Sequence, residues 1–174
     1  MSKQKRWEYL NDYKKDQSGK YVYCGNLYSY ADEETKKNKI RAFIVFDVLL
    51  MCTVIGSGCI NAAGMNNSFY VIIPYIGEAA ALFMLLWNSV KILKEGGKIK
   101  EYNLVSAEKY VPAAAVMIMI FACIGLICSV VFVALNGFDG GKLKCIGYMI
   151  LKITAFALAF YYKKVFDSTS WQKL

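Results

Sequence analysis

The stretch "PYIGEAAALFMLLW", residues 74–87, is apolar apart from one glutamate, Glu78. It lies in the second of four long apolar blocks, at about 41–62, 69–91, 111–135 and 145–162. A helix needs about 20 apolar residues to cross a hydrocarbon core about 30 Å thick, and each block is close to that length. The four blocks predict an all-α integral membrane protein, an antiparallel bundle of four transmembrane helices.

The blocks divide the 174 residues into three parts. Residues 1–40 form an N-terminal head, residues 41–162 form the bundle, and residues 163–174 form a tail. No apolar run lies near Met1, so we expect no removable signal peptide, and the first span should stay in the membrane.

Lysine and arginine placement predicts the orientation, because short flanking segments rich in these residues stay cytoplasmic. Ten of the 21 basic residues lie at or before Arg41, and five more lie between spans two and three. The stretch "NAAGMNNS" between spans one and two carries no charge. We therefore expect both termini to be cytoplasmic and the host membrane to be the cell membrane. The net charge of +8 then reflects topology and attraction to anionic lipids rather than nucleic-acid binding.

The head is rich in aromatic residues, which indicates folded structure rather than a disordered tail. In "KRWEYLNDYKK", Trp7, Leu10 and Tyr13 recur at helical spacing and predict a short amphipathic helix. In "KYVYCGNLYSY", tyrosines alternate on either side of Gly25-Asn26, which predicts a β-hairpin turning at that pair with a positive φ.

Two interpretations of the head stay open. Its aromatic side chains either cover the cytoplasmic end of the bundle or form a docking surface for a protein partner, since tyrosine is favoured in interfaces. The candidate surface comprises Trp7, Leu10, Tyr13, Tyr21, Tyr23, Tyr28 and Tyr30.

The cytoplasmic connections also carry structural signals. We expect span one to continue inward as a helix through residues 32–40. Between spans two and three, Gly96-Gly97 should break the chain, and Ser106 should cap the next helix, with Glu108 in its first turn. This loop and the predicted tyrosine hairpin could pack together.

Three ionisable residues lie inside the predicted spans: Asp47, Glu78 and Lys152. Each is costly there, by about 2.5–3.5 kcal/mol on insertion scales. At the helical rise, Glu78 lies about 13 Å and Lys152 about 12 Å from the outer ends of their spans. Asp47 lies about 8 Å nearer the cytoplasm. Glu78 and Lys152 are therefore the expected pair, and the hydroxyl of Tyr148, one turn before Lys152, could join them.

Three interpretations of this intramembrane cluster remain. The Glu78–Lys152 pair is structural, or Glu78 exchanges a proton or cation during transport with Asp47 as the cytoplasmic step of a relay, or one of the charges meets another subunit.

Enzyme chemistry finds little support in the sequence. The chain contains six cysteines but no C-x-x-C pair, and it contains no histidine, phosphate-binding glycine loop or nucleophile elbow. We expect no catalytic residue, no metal site and no cofactor. Cys59 and Cys145, both near the outer face, could form a disulfide.

The sequence therefore predicts a non-catalytic membrane subunit or interaction protein, in contact with the lipid bilayer and with another membrane protein or a second copy of itself. The alternative is a small proton- or ion-coupled transporter or channel protomer that uses Glu78, Lys152 and Asp47.

Overall fold

Four long helices make up most of the chain. The computed structural model describes residues 12–31, 33–60, 64–138 and 141–174, and only the backbone of residues 33–35 and 66. The helices are α1 (Glu33–Cys59), α2 (Phe69–Lys94), α3 (Glu101–Asn136) and α4 (Lys142–Asp167), with a short 3₁₀ turn, Met65–Asn67, before α2. All four are long and apolar enough to cross a membrane, which confirms the predicted spans at that level.

The helices pack in a ring, in which α1 contacts α2, α2 contacts α3, α3 contacts α4, and α4 returns to α1. Helices α2 and α4 therefore face each other across the bundle. The centre is filled by aliphatic and small side chains, among them Leu50, Leu85, Val111, Ile118, Ala155 and Ala159.

The outer faces of the helices are apolar as well. Phe69, Ile73, Phe83, Ile127 and Leu135 are all exposed. A helix in water hides one apolar stripe and exposes polar residues, whereas a helix that is apolar all round belongs in lipid or in a large core. The exposed surface of this bundle is therefore suited to lipid.

At one end of the bundle, which we call the head end, three separate segments form one antiparallel sheet. Strand β3 (Leu27–Tyr30) lies between β4 (Ile99–Lys100), from the α2–α3 connection, and β5 (Trp171–Lys173), from the C-terminal tail. The expected packing between head and loop is confirmed by the β3–β4 pairing. The contribution of the tail was not predicted.

The head contains a β-hairpin, but its turn is not at Gly25-Asn26. Strands β1 (Tyr13–Lys15) and β2 (Tyr21–Tyr23) pair with each other around a turn that includes Gly19, whose φ is 79°. Strand β2 does not pair with β3, so the predicted turn position is wrong.

The physical reason lies at Gly25. A Cβ atom there would lie 2.5 Å from the Tyr23 hydroxyl, and this hydroxyl donates a hydrogen bond to the Asn26 carbonyl (3.2 Å). Gly25 therefore leaves space for the Tyr23 side chain, which closes a bend in the backbone. After this bend the chain passes from the β1–β2 sheet to the three-stranded sheet.

Of the three apolar positions that define the predicted amphipathic helix, one lies within the described residues. Trp7 and Leu10 lie outside the described residues, and Tyr13, its third apolar position, is in strand β1. The inward helical extension of span one is confirmed, since α1 begins at Glu33.

Helix α3 begins earlier than predicted, at Glu101 rather than after Ser106. The break at Gly96-Gly97 is confirmed, with φ of 62° and 123°. Glu95 stabilises the early start, because its carboxylate accepts hydrogen bonds from the Lys100 backbone N–H and from the Asn103 amide, both 2.7 Å. Ser106 is inside the helix, and its hydroxyl donates to Asn88 Oδ1 (3.1 Å).

Glycines allow large side chains of a neighbouring helix to approach. A Cβ atom at Gly77 would lie 2.6 Å from the ring of Phe121, which is closer than carbon atoms can pack. By contrast, a Cβ atom at Gly56 would lie 3.6 Å from Leu151 Cδ1, an ordinary van der Waals contact. Close α2–α3 packing therefore depends on Gly77.

We predict that Gly77→Ala lowers the free energy of unfolding by about 1–3 kcal/mol, because the added methyl group overpacks the α2–α3 contact. The measurement is the thermal unfolding midpoint of the purified protein in detergent. Gly56→Ala is the matched control and should unfold at or slightly above the wild-type midpoint. Equal effects of the two substitutions would contradict the assignment, and adding Phe121→Leu to Gly77→Ala should restore stability.

Candidate functional site

The central polar contact of the bundle joins α2 to α4. The ammonium group of Lys152 donates a hydrogen bond to Glu78 Oε2 and forms an ion pair with it. The side chains are buried, with 0% exposure for Glu78 and 1% for Lys152. The predicted pairing of these two residues is therefore present in the structure, deep between the helices.

Two tyrosine rings complete the surroundings of the Lys152 ammonium group. Its nitrogen lies 5.0 Å from the ring centre of Tyr148 and 5.2 Å from that of Tyr75. Aromatic faces attract cations, more strongly where water is excluded. Gly125 of α3 gives the lysine stem room, since a Cβ atom there would lie 3.4 Å from Lys152 Cε. Glu78, Lys152, Tyr148 and Tyr75 together are called the central cluster below.

Tyr148 joins the cluster through its ring rather than through the predicted hydroxyl contact. Among the described residues, neither its hydroxyl nor Glu78 Oε1 has a hydrogen-bond partner. A buried polar atom without a partner is unfavourable by about 1–3 kcal/mol. The charges of Glu78 and Lys152 therefore balance, but two buried oxygen atoms of the cluster can each form a further hydrogen bond.

Asp47 is not part of the central cluster. Its carboxylate accepts a hydrogen bond from the Ser89 hydroxyl of α2 (2.5 Å), and Tyr162 of α4 lies beside the same group. Ser89 follows Glu78 by eleven residues, so the two levels are about 16 Å apart along α2, twice the expected separation.

Buried leucines fill the space between the two levels, chiefly Leu50, Leu82 and Leu85. The predicted relay from Asp47 to Glu78 would have to cross this apolar layer. The structure therefore separates one of the four predicted cluster residues from the other three.

The head tyrosines mostly contact one another and the α2–α3 connection. Tyr13 and Tyr23 lie in edge contact, with ring centres 5.3 Å apart, and Tyr23 contacts Tyr102 at 6.1 Å. Tyr30 packs on Trp171 of the tail at 4.7 Å. These contacts agree with the covering interpretation for Tyr13, Tyr23 and Tyr30, whereas Trp7 and Leu10 lie outside the described residues. Tyr28 is half-buried against the core, and Tyr21 is strongly exposed, at 67%.

Hydrogen bonds from charged and polar side chains hold the β1–β2 hairpin against the start of α3. The Lys100 ammonium group donates to the Tyr13 hydroxyl (3.0 Å), which also contacts the Tyr102 hydroxyl (3.4 Å). Hydrogen bonds with Tyr102 and Lys100 lower the pKa of Tyr13, and the bond to Tyr13 raises the pKa of Lys100. Asn26 adds a hydrogen bond from its amide to Glu101 Oε2 (2.8 Å).

The predicted disulfide does not form, since both cysteines are free thiols. Cys145 is buried beside Met65, Val71 and Phe132, whereas Cys59 is exposed on α1. One thiol faces the interior of the bundle and the other faces outward. In the described ranges, no group of three His, Cys, Asp or Glu side chains is placed to hold a metal ion.

Sequence reasoning missed Tyr75, Ser89 and Tyr162. Tyr75 stands three residues before Glu78, on the same helical face, and this spacing could have revealed it. Ser89 and Tyr162 carry no such signal, because serines and tyrosines are common in membrane helices for other reasons.

Comparison with protein-family models, with curated proteins and with solved structures finds no match to this chain. Its function must therefore be argued from the geometry described above.

We predict that Glu78→Gln and Lys152→Met each lower the free energy of unfolding by about 3–5 kcal/mol, because each leaves one buried charge without its partner. The double variant should lose clearly less than the sum of the two single losses. Thermal or denaturant unfolding in detergent measures the effect. Glu108→Gln, at an exposed position of α3, is the control and should be neutral. Strictly additive losses would show that the two side chains do not stabilise each other.

Proposed function

We propose that the protein is a non-catalytic subunit or interaction protein of the cell membrane, with both termini in the cytoplasm. The distribution of lysine and arginine supports this orientation, since the head, the α2–α3 connection and the tail all carry basic residues and all lie at the head end.

The observation that carries the proposal is a contrast between the bundle, whose central charges neutralise each other, and the hairpin, which exposes apolar side chains. Inside the bundle, Glu78 and Lys152 neutralise each other and join α2 to α4. Outside it, the β1–β2 hairpin exposes two apolar side chains, Tyr21 at 67% and Val22 at 48%. The bundle supports the hairpin, and the hairpin offers contact surface.

The hairpin is held in a fixed place, which lowers the entropic cost of binding. Lys100 and Tyr102 contact Tyr13 of the hairpin. Lys100 belongs to strand β4 of the three-stranded sheet, and Tyr102 lies in the first turn of α3. An isolated two-stranded hairpin is marginal, so this support defines the surface presented to a partner.

The charge around Tyr21 indicates the kind of partner. Lys14, Lys15 and Lys20 are exposed on the hairpin, against one exposed acid, Asp16. The Lys15 ammonium group lies 5.4 Å from the ring centre of Tyr21. A partner surface that carries acidic residues around an apolar patch complements this hairpin. The three lysines, together with Tyr21 and Val22, make up the surface that the hairpin offers to a partner.

We predict that the tagged wild-type protein, extracted gently from the membranes of its own host, is recovered as a heteromeric complex by native mass spectrometry. The variant Tyr21→Ser with Val22→Ser should lose at least about 90% of that complex, because aromatic and apolar contacts at the centre of an interface dominate its affinity. Its unfolding midpoint should not change, since both side chains are exposed.

Val105→Ser is the matched control, because Val105 is exposed outside the hairpin, on α3. This variant should retain the complex. A wild-type protein found only as a monomer, or only with copies of itself, would overturn the subunit proposal.

A small proton- or ion-coupled transporter or channel protomer is the second candidate. The observation that favours it is the pair of buried atoms without partners in the described chain, Glu78 Oε1 and the Tyr148 hydroxyl. Ionisable residues within a membrane often mark ion pathways.

The two candidates differ in what Glu78→Gln does to flux. For the transporter, proton or cation flux into liposomes should fall at least about tenfold in this variant while assembly persists. For the subunit, wild-type liposomes should show no flux above that of empty liposomes. The double variant, Lys152→Met with Glu78→Gln, should lose less stability than the two single losses imply, so it separates lost flux from lost folding.

A further inference from the structure

The carboxylate of Asp47 lies inside the bundle, and no positive charge of the described residues pairs with it. The residue is 8% exposed, and Ser89 donates a hydrogen bond to one of its oxygens. Within the described part of the chain, its other oxygen, Oδ1, has no hydrogen-bond partner. An isolated buried carboxylate is strongly unfavourable unless a positive charge neutralises it.

Several basic residues on the packed helices make other contacts. No ion pair to Asp47 occurs among the described residues, in which Lys152 pairs with Glu78 and Lys163 pairs with Asp167. On α1 itself, the Lys39 ammonium group donates to the Val165 carbonyl (3.1 Å) and the Ser168 hydroxyl (2.6 Å). Lys91 of α2 lies over the ring of Trp87, and Lys109 of α3 lies over the ring of Tyr110.

The groups that do face Asp47 are neutral hydroxyls. Ser89 comes from α2, and Tyr162, 1% exposed, comes from α4. Tyr162 and Tyr30, in strand β3 of the head, belong to the same buried apolar core. The Tyr30 hydroxyl is itself buried and has no hydrogen-bond partner among the described residues. The site therefore combines one carboxylate with neutral hydroxyls, and Asp47 Oδ1 has no hydrogen-bond partner in the described part of the chain.

We infer that Asp47 is the binding site for one monovalent cation, a proton or a sodium ion, where the head meets helices α1, α2 and α4. One positive charge neutralises the single carboxylate. A divalent ion fits poorly, because one carboxylate would neutralise only half of its charge and leave a net positive charge buried. The site is separate from the central cluster, where Lys152 already supplies the positive charge.

Cation binding at this position has a structural consequence. Phe43, one turn before Asp47 on α1, packs on Tyr162 at 5.6 Å, and Tyr30 connects the same region to Trp171 of strand β5. Neutralising Asp47 should therefore stabilise the docking of the three-stranded sheet onto the bundle. This inference does not depend on the identity of a protein partner.

The test uses the full chain in detergent and follows the thermal unfolding midpoint in two titrations. The first lowers the pH from 8 to 5 in N-methylglucamine chloride, without sodium. The second replaces N-methylglucamine by sodium at pH 8 and constant ionic strength. A ligand at about a hundred times its Kd should raise the midpoint by about 5 °C or more. A response to acid identifies a proton, and a response to sodium at pH 8 identifies the metal ion.

Asp47→Asn should remove whichever response the wild-type protein shows. Asp167→Asn, at an exposed position, is the matched control and should retain it. If Asp47→Asn does not fold, Ser89→Ala provides the comparison, because it removes the hydrogen bond to the Asp47 carboxylate and should shift the pH or the sodium concentration at half-response. Hydrogen exchange at the amides of β3 and β5 should slow when the cation binds. The inference is overturned if the wild type shows neither response, or if Asp47→Asn shows the same response as the wild type.

Discussion

The ion pair between Glu78 and Lys152 fixes how the four helices are arranged. Helices α2 and α4 are not neighbours in the ring, so the pair reaches across the bundle and is covered by the side chains of the other two helices. In the middle of a membrane, either charge alone would be strongly unfavourable. Rotation of either helix would separate the charges, and this penalty selects one arrangement among the many that apolar helices could adopt.

The close packing around the pair follows from small residues on one helix opposite large residues on the next. Gly58 of α1 leaves space for Tyr75, Gly77 of α2 for Phe121, and Gly125 of α3 for Lys152. Association of membrane helices depends on such packing, because lipid tails are as apolar as leucine and burial alone provides little driving force. Tyr75 links this packing to the central cluster, since its hydroxyl lies at Gly58 and its ring faces Lys152.

The parts of the fold that the sequence could predict are those controlled by local, one-dimensional rules. The four spans follow from apolar length, and the pairing of Glu78 with Lys152 follows from the constant rise of a helix. The rest depends on contacts between distant residues. Strand β5 has three residues, Trp171–Lys173, and becomes a strand only because β3 is beside it. The bend at Gly25 similarly depends on a side-chain contact of Tyr23, and sequence patterns for turns do not include such contacts.

Polar side chains lie at two levels of the bundle, and the two levels differ in whether the buried carboxylate has a basic partner among the described residues. The central cluster contains its own counter-charge and lies about 16 Å along α2 from Ser89, behind buried leucines. Asp47 lies at the other level, near the head, with hydroxyls around it and no basic partner in the described residues. Burial raises the pKa of Tyr30, on the head side of this level, to about 12, so Tyr30 stays neutral and cannot supply or remove charge. Asp47 is therefore the carboxylate of this level, and it lies on α1 one turn after Phe43, which packs on Tyr162 of α4.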